Sequence, residues 1–330
     1  MNFQGLGKIE EYQFYLDKAI QRASKKARAM QTKNTTEDKF SKTKRIELVR
    51  VNIMSDIITD DLKDIYEKYP MVSALNPFYF ELVKVTLDYG QLKKSLGAIK
   101  WAKKKISDFN RFFAAKIMKS SDMQQAHDHK KSFIGRISSI LRQVKKDFLF
   151  LEDARMTMKN LPTVKTKLKT IAIAGFPNVG KTTLLNALTT SKAEIKNYAF
   201  TTKGINVGYA EEKNRRIQFI DTPGTLNRFS KMNVPEKIAY LALKHLADAV
   251  IYVFDLTESS YPLKEQAALY REVIKLEKPI VVYLAKLDVL EDDRLVDPFV
   301  KKYEVIAMAD IMQRVSEFEK LIVDEDDYPE

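Results

Sequence analysis

The chain has 330 residues, 45% of them hydrophobic and 30% charged, which is enough to bury two cores. Its longest apolar runs, such as Ile280–Ala285, have strand length, short of the roughly 18 residues that cross a bilayer. Met1–Tyr12 carries Glu10 and Glu11 and no apolar signal region, and the lack of cysteine excludes disulfides and thiolate metal sites; both fit a cytoplasmic protein.

Charge divides the chain. Residues 1–170 hold 35 Lys+Arg against 19 Asp+Glu, a net of +16, and residues 171–330 hold 21 against 25, a net of −4. Such asymmetry suggests a polyanionic partner for the first half.

Helical periodicity runs through 6–30, 42–68, 77–121 and 123–160, broken at Thr32–Thr36, Tyr69–Pro77 and near Lys119–Met123. Phe78, Leu82, Val85 and Leu87 begin an apolar stripe that Trp101, Ile106, Phe109 and Phe113 continue. Phe133, Ile137, Ile140, Leu141 and Val144 form another. Long helices with short connections predict an all-α antiparallel bundle over 1–162. Phe109, Phe112 and Phe113 read as its core rather than as a base-stacking platform. His127 and His129 stand two apart, so they share no helix face and make no metal site. Lys103, Lys104, Lys105, Arg136, Arg142, Lys145 and Lys146 lie on basic faces and are the candidate RNA contacts, with plain solvated surface as the alternative.

Leu161–Pro162 closes the last helix, and 163–169 is a short linker with Lys165, Lys167 and Lys169. Strand patterns follow at Thr170–Ala174, Ile217–Ile220, Val250–Phe254, Ile280–Leu284 and Val305–Ala307, with helices at 181–190, 234–247, 263–276 and 310–323. This alternation predicts an α/β domain over 170–330 with a doubly wound, mostly parallel sheet. Ile205–Ala210 would pair antiparallel with Ile217–Ile220 and take the sheet edge.

Three motifs fall at strand ends. Gly175-Phe176-Pro177-Asn178-Val179-Gly180-Lys181-Thr182 fits G-x-x-x-x-G-K-[ST] between a strand and a helix. Its glycines let backbone N–H groups wrap a phosphate, Lys181 reaches the β- and γ-phosphates, and the Thr182 hydroxyl ligates Mg²⁺. Thr183 continues this cradle. In Asp221-Thr222-Pro223-Gly224, Asp221 holds magnesium through water and the Gly224 N–H touches the γ-phosphate. In Ala285-Lys286-Leu287-Asp288, Asp288 accepts from the N1–H and N2–H₂ of guanine, where adenine would offer an acceptor to the carboxylate. Alone, either of the last two strings is an ordinary turn; their order and spacing make them nucleotide-binding. Phe200, Thr201 and Thr202 lie between the first two motifs, and one threonine completes the magnesium shell, Thr202 being preferred.

The four motifs resemble the Obg-like, translation-factor-related P-loop GTPases. Tyr198–Lys203, Asn76-Pro77-Phe78-Tyr79, the stretch from Leu96 to Lys103 and Leu161-Pro162-Thr163-Val164 further resemble the Nog1 family, in a short, archaeal-type form. The resemblance implies a GTPase of large ribosomal subunit assembly, with GTP or GDP, ribosomal RNA and proteins as partners and no membrane. Stand-alone regulatory GTPase and GTP-binding RNA scaffold with little turnover remain the alternatives. Two positions depart from the patterns. Ala285 replaces the asparagine of N-K-x-D, a loss of roughly 1–2 kcal/mol. Thr225 stands where many signalling GTPases carry a water-orienting glutamine, so unassisted hydrolysis should be slow. In Obg-like relatives an asparagine placed as Asn178 recruits K⁺. Ala307-Met308-Ala309 is a weak candidate for a further base-supporting loop.

Overall fold

The computed structural model describes residues 3–31, 38–165, 168–189, 206–212, 215–222, 232–314 and 317–318. The chain divides into two compact units, Asn2–Val72 with Leu87–Lys159, and Ser73–Thr86 with Asn160–Glu330.

The first unit is helical: α1 (Tyr12–Gln31), α2 (Lys39–Lys68), then, after α3 (Pro77–Thr86) in the other unit, α4 (Tyr89–Met118), α5 (Met123–Gln143) and α6 (Lys145–Lys159). Its core includes Ile58, Leu62, Ile99, Ile106, Phe133, Ile137 and Leu151, all fully buried. The four-residue connection after α4 folds α5 back along it, and the Phe113 and Phe133 rings meet at 6.0 Å.

Helix ends follow capping chemistry more than periodicity. The stretch expected as one helix over 77–121 is two, because the Asp88 carboxylate accepts the Gln91 N–H at 2.9 Å and starts α4. The stretch 123–160 likewise splits at Val144, where the backbone leaves helical geometry for one residue. The first helix starts at Tyr12 rather than at 6, and Phe3–Gly5 is a separate 3₁₀ turn. Trp101 and Phe112, expected inside the bundle, face solvent, because Leu92, Ile99, Ile106, Phe113 and Ile117 already fill the buried side of α4.

The second unit is built on a five-stranded sheet of order β2-β3-β1-β4-β5, with β1 (Thr170–Ala174), β2 (Asn206–Glu212), β3 (Arg215–Asp221), β4 (Ala249–Asp255) and β5 (Ile280–Ala285). All neighbours are parallel except β2, an antiparallel edge strand on β3. Helices α7 (Lys181–Leu188), α8 (Val234–His245), α9 (Leu263–Ile274) and α10 (Val296–Lys302) complete it. β1 and β4 are buried throughout, as strands covered on both faces must be. Ile171 and Ile173 pack with Leu184 and Leu185 on one face, and Ala172 and Ala174 with Leu243 and Val273 on the other. The expected strand Val305–Ala307 is a single parallel bridge, Val282 to Val305, followed by a 3₁₀ turn at Met308–Asp310 and by Ile311, which is buried in the core beside the sheet. No helix among the described residues is long and apolar enough to cross a membrane.

α3 packs against α8 in this unit. Asn76 caps it by accepting the Phe78 N–H at 3.0 Å, and Pro77 stands where a missing N–H costs nothing. The buried Tyr79 hydroxyl accepts the Val164 N–H at 3.0 Å and donates to the Pro162 carbonyl at 3.0 Å. Beyond it, the Lys165 N–H donates to the Gln218 side chain at 3.1 Å, and Gln218 donates to the Thr170 hydroxyl at 2.9 Å.

Candidate functional site

Parallel pairing sets Ile173 beside Asp221 and Asp255 beside Ala285, so the carboxyl ends of β1, β3, β4 and β5 open along one edge of the sheet. In a doubly wound sheet this is the edge that takes ligands.

The loop after β1 is held by two backbone conformations that a side chain would resist. Gly175 has φ +148°, and a Cβ there would lie 2.6 Å from the Val253 carbonyl oxygen. Gly180 has φ +107°, and its Cβ would come within 3.2 Å of the Ala285 methyl. Between them Asn178 adopts φ 63°, a left-handed geometry that asparagine tolerates. Phe176 and Pro177 are half-buried, and the Phe176 ring lies 4.4 Å from Tyr261, centre to centre. Val179 is buried under the loop, and Asn178 is exposed at its crest, its carbonyl accepting from the Ser260 hydroxyl at 3.4 Å.

Lys181 opens α7 with its stem buried, and its Nζ donates to the Phe176 carbonyl at 2.6 Å, folding the ammonium onto the loop. This sets a positive charge beside N–H groups that already favour an anion. Thr183 is exposed on the same turn.

Asp221 ends β3 against that helix. Its Oδ2 accepts the Thr182 hydroxyl at 2.7 Å and the Asn206 amide at 3.1 Å. Its Oδ1 is buried with no hydrogen-bond partner among the described residues. A buried carboxylate oxygen left without a donor, beside a threonine hydroxyl, is a fit for a hard cation. Thr222 is buried, its hydroxyl and N–H both donating to the Ile173 carbonyl, so it is a structural clasp between β3 and β1. Phe200, Thr201, Thr202, Pro223, Gly224 and Thr225 lie outside the described residues.

At the end of β5, Ala285 is buried, Lys286 adopts φ 59°, and Leu287–Val289 form an exposed 3₁₀ turn that carries Asp288. Burial pushes the Tyr283 hydroxyl up, and the Asp288 charge beside it adds to the shift. The Lys286 ammonium donates to Asp255 Oδ2 at 2.7 Å and to the Ser259 hydroxyl at 2.7 Å.

Asp255 and Ser259 are site residues that the motifs did not reveal. Asp255 is fully buried and also accepts from the Thr257 N–H, the Thr257 hydroxyl at 2.5 Å and the Ser259 hydroxyl at 2.9 Å. Burial alone would raise its carboxyl, but the bonds from Lys286, Thr257 and Ser259 outweigh that and hold it below the usual carboxylate range. Gln266, itself buried, fixes the Asp255 backbone from both sides at 2.9 Å. The signal that could have found Asp255 is its place at the carboxyl end of a central parallel strand. Ala307, Met308 and Ala309 are exposed beyond the Val305 bridge.

In the helical unit Lys104, Lys105, Arg136, Arg142, Lys145 and Lys146 are exposed and Lys103 is half-buried.

A model of the NOG1 N-terminal helical domain matches residues 3–165, and one of a 50S ribosome-binding GTPase matches residues 170–286. An uncharacterized protein of Methanocaldococcus jannaschii is 40% identical over 281 residues, 84% of this chain and 78% of that one. Nucleolar GTP-binding protein 1 of Drosophila melanogaster is 31% identical over 261 residues, 78% of this chain and 40% of its own. The chain thus spans about two fifths of that nucleolar relative's length. The solved G domain of the T. maritima FeoB iron transporter aligns with 46% of this chain and 99% of its own, at 28% identity and a TM-score of 0.39.

Proposed function

The chain belongs to the Nog1 family of GTPases, and from that premise we propose that it hydrolyses GTP with magnesium during assembly of the large ribosomal subunit. The observation that carries this reading is the union in one chain of a glycine-bounded loop that holds Lys181 and Thr182 at the sheet's carboxyl edge with a first half of net charge +16. Thr182 and Asp221, whose Oδ1 has no hydrogen-bond partner among the described residues, would hold Mg²⁺, and Thr202 would complete the set. Bound there, the ion neutralises charge that builds on the β- and γ-phosphates. Lys181 adds a point charge to the same oxygens, the loop N–H groups and that of Gly224 orient them, and Asp288 selects guanine. Asn178, exposed at the loop crest, would take part in holding K⁺. Lys103, Lys104, Lys105, Arg136, Arg142, Lys145 and Lys146 would meet ribosomal RNA phosphates, in the cytoplasm.

The test is GTP turnover by the full chain at matched ionic strength in KCl and in NaCl, with and without large-subunit particles. Turnover should be slow alone, faster in KCl, and stimulated by the particles. Turnover that ignores particles which also fail to bind would instead assign a stand-alone regulatory GTPase. GTP binding with no turnover in any arm would leave a scaffold. No difference between the cations would remove the role of Asn178.

A further inference from the structure

The solvent face of α4 does not look like ordinary charged surface. Trp101, the single tryptophan of the chain, is 41% exposed and Phe112 is 51% exposed. Neither is a displaced core residue, since the opposite side of the helix is complete without them. They stand eleven residues apart, about three turns and about 16 Å along the axis, and so share a face. Lys94, Lys105 and Lys116 stand at helical spacing from these rings and are exposed, and the Lys116 ammonium lies 4.7 Å from the Phe112 ring centre. Lys93, Lys100, Lys104 and Arg111 border them. Across α4 there are eight basic residues and one acid, Asp108, which Arg111 holds at 2.8 Å.

A large ring left in water among like charges calls for a partner that supplies both negative charge and flat apolar faces. Duplex RNA supplies only the first, because its bases are stacked on one another. Single-stranded RNA supplies both: its phosphates meet lysines and its open bases stack on aromatic rings.

We propose that the exposed face of α4 is a platform for unpaired RNA, with Trp101 and Phe112 each stacking one base and Lys94, Lys105 and Lys116 holding the phosphates between. This rests on the RNA-binding reading above and adds the strandedness of the RNA and the residues that recognise it. Two rings about 16 Å apart take separate bases of one strand. Lys104 and Lys105 then belong to a mixed aromatic and basic surface rather than to a plain charge patch, whereas Lys103, two residues from Trp101 and half-buried, lies off this face.

Trp101 is also its own reporter. The full chain is titrated at low salt with an unstructured single-stranded RNA, with a duplex containing the same sequence, and with phosphatidylserine vesicles, while tryptophan emission and affinity are followed. The single strand should quench the emission and bind more tightly than the duplex. Trp101→Ala and Phe112→Ala should each weaken it by about 5- to 100-fold, Trp101→Phe should recover most of the loss, and GTP affinity should not move. Tight single-strand binding without quenching, and unaltered by Trp101→Ala, would overturn the platform while leaving RNA binding in place. Binding of neither RNA would overturn both readings. An emission shift with vesicles and none with RNA would assign the face to a lipid surface and overturn the platform.

Discussion

Asp288 stands on an exposed 3₁₀ turn, and what aims it lies behind it in the buried end of the sheet. Lys286 adopts a left-handed backbone conformation and its ammonium pairs with the buried Asp255, so the turn is anchored through its lysine. That anchor matters because Ala285 lacks the amide that would tie the turn to the phosphate loop; in its place a methyl packs against Gly180. On the proposed reading, guanine selection therefore falls on the two oxygens of Asp288. The wild-type chain should bind GTP and GDP about tenfold or more tightly than ATP. Asp288→Asn turns one acceptor into a donor, which suits the O2 of xanthine. It should weaken GTP by about 10- to 100-fold and favour XTP. Competition with labelled GDP checks this, and equal GTP and ATP affinity in the wild type would remove Asp288 as the base selector. At this scale the order of the motifs made legible which residues meet, as with Thr182 and Asp221. Asp255 was not legible, because an aspartate ending a strand is common and its worth appears only when Lys286, 31 residues later, is brought to it.

Among the elements, α3 shows why two separate sequence signatures go together. Asn76-Pro77-Phe78-Tyr79 and Leu161-Pro162-Thr163-Val164 are far apart in the chain, yet the Tyr79 hydroxyl bonds to both Val164 and Pro162. Tyr79→Phe keeps the ring and leaves the buried Val164 N–H without that acceptor, so it should cost about 1–3 kcal/mol of stability. Urea unfolding would register this as a lower midpoint at unchanged slope, and an unaltered midpoint would contradict the bond's role. The boundary at Asp88 was missed although a cap marks it: Asp88 with Gln91 three residues on is a start signal inside what periodicity reads as one helix. The break at Val144 carries no glycine, proline or capping pair, so nothing local announces it. Trp101 and Phe112 misled for a related reason. Periodicity finds apolar positions, but it does not say when a face has already been filled.

For the whole molecule, a helical part followed by an α/β part was legible in the change from long helical periodicity to alternating strands and helices. Composition did not announce that Ser73–Thr86 packs with Asn160–Glu330, since an amphipathic helix shows that a face is covered and not by what. Because α3 packs with the sheet unit, its Tyr79 bonded to Pro162 and Val164, tests of the basic half belong on the intact chain. The central claim, that the basic half holds ribosomal RNA through its phosphates, is tested most directly by co-sedimentation of the full chain with large-subunit particles across a salt series. Each duplex phosphate neutralised releases about 0.9 counterion, so with six or more engaged the affinity should fall about 10³-fold or more between about 50 and about 200 mM salt. Binding that is absent at low salt, or that persists unchanged across this range, would contradict it.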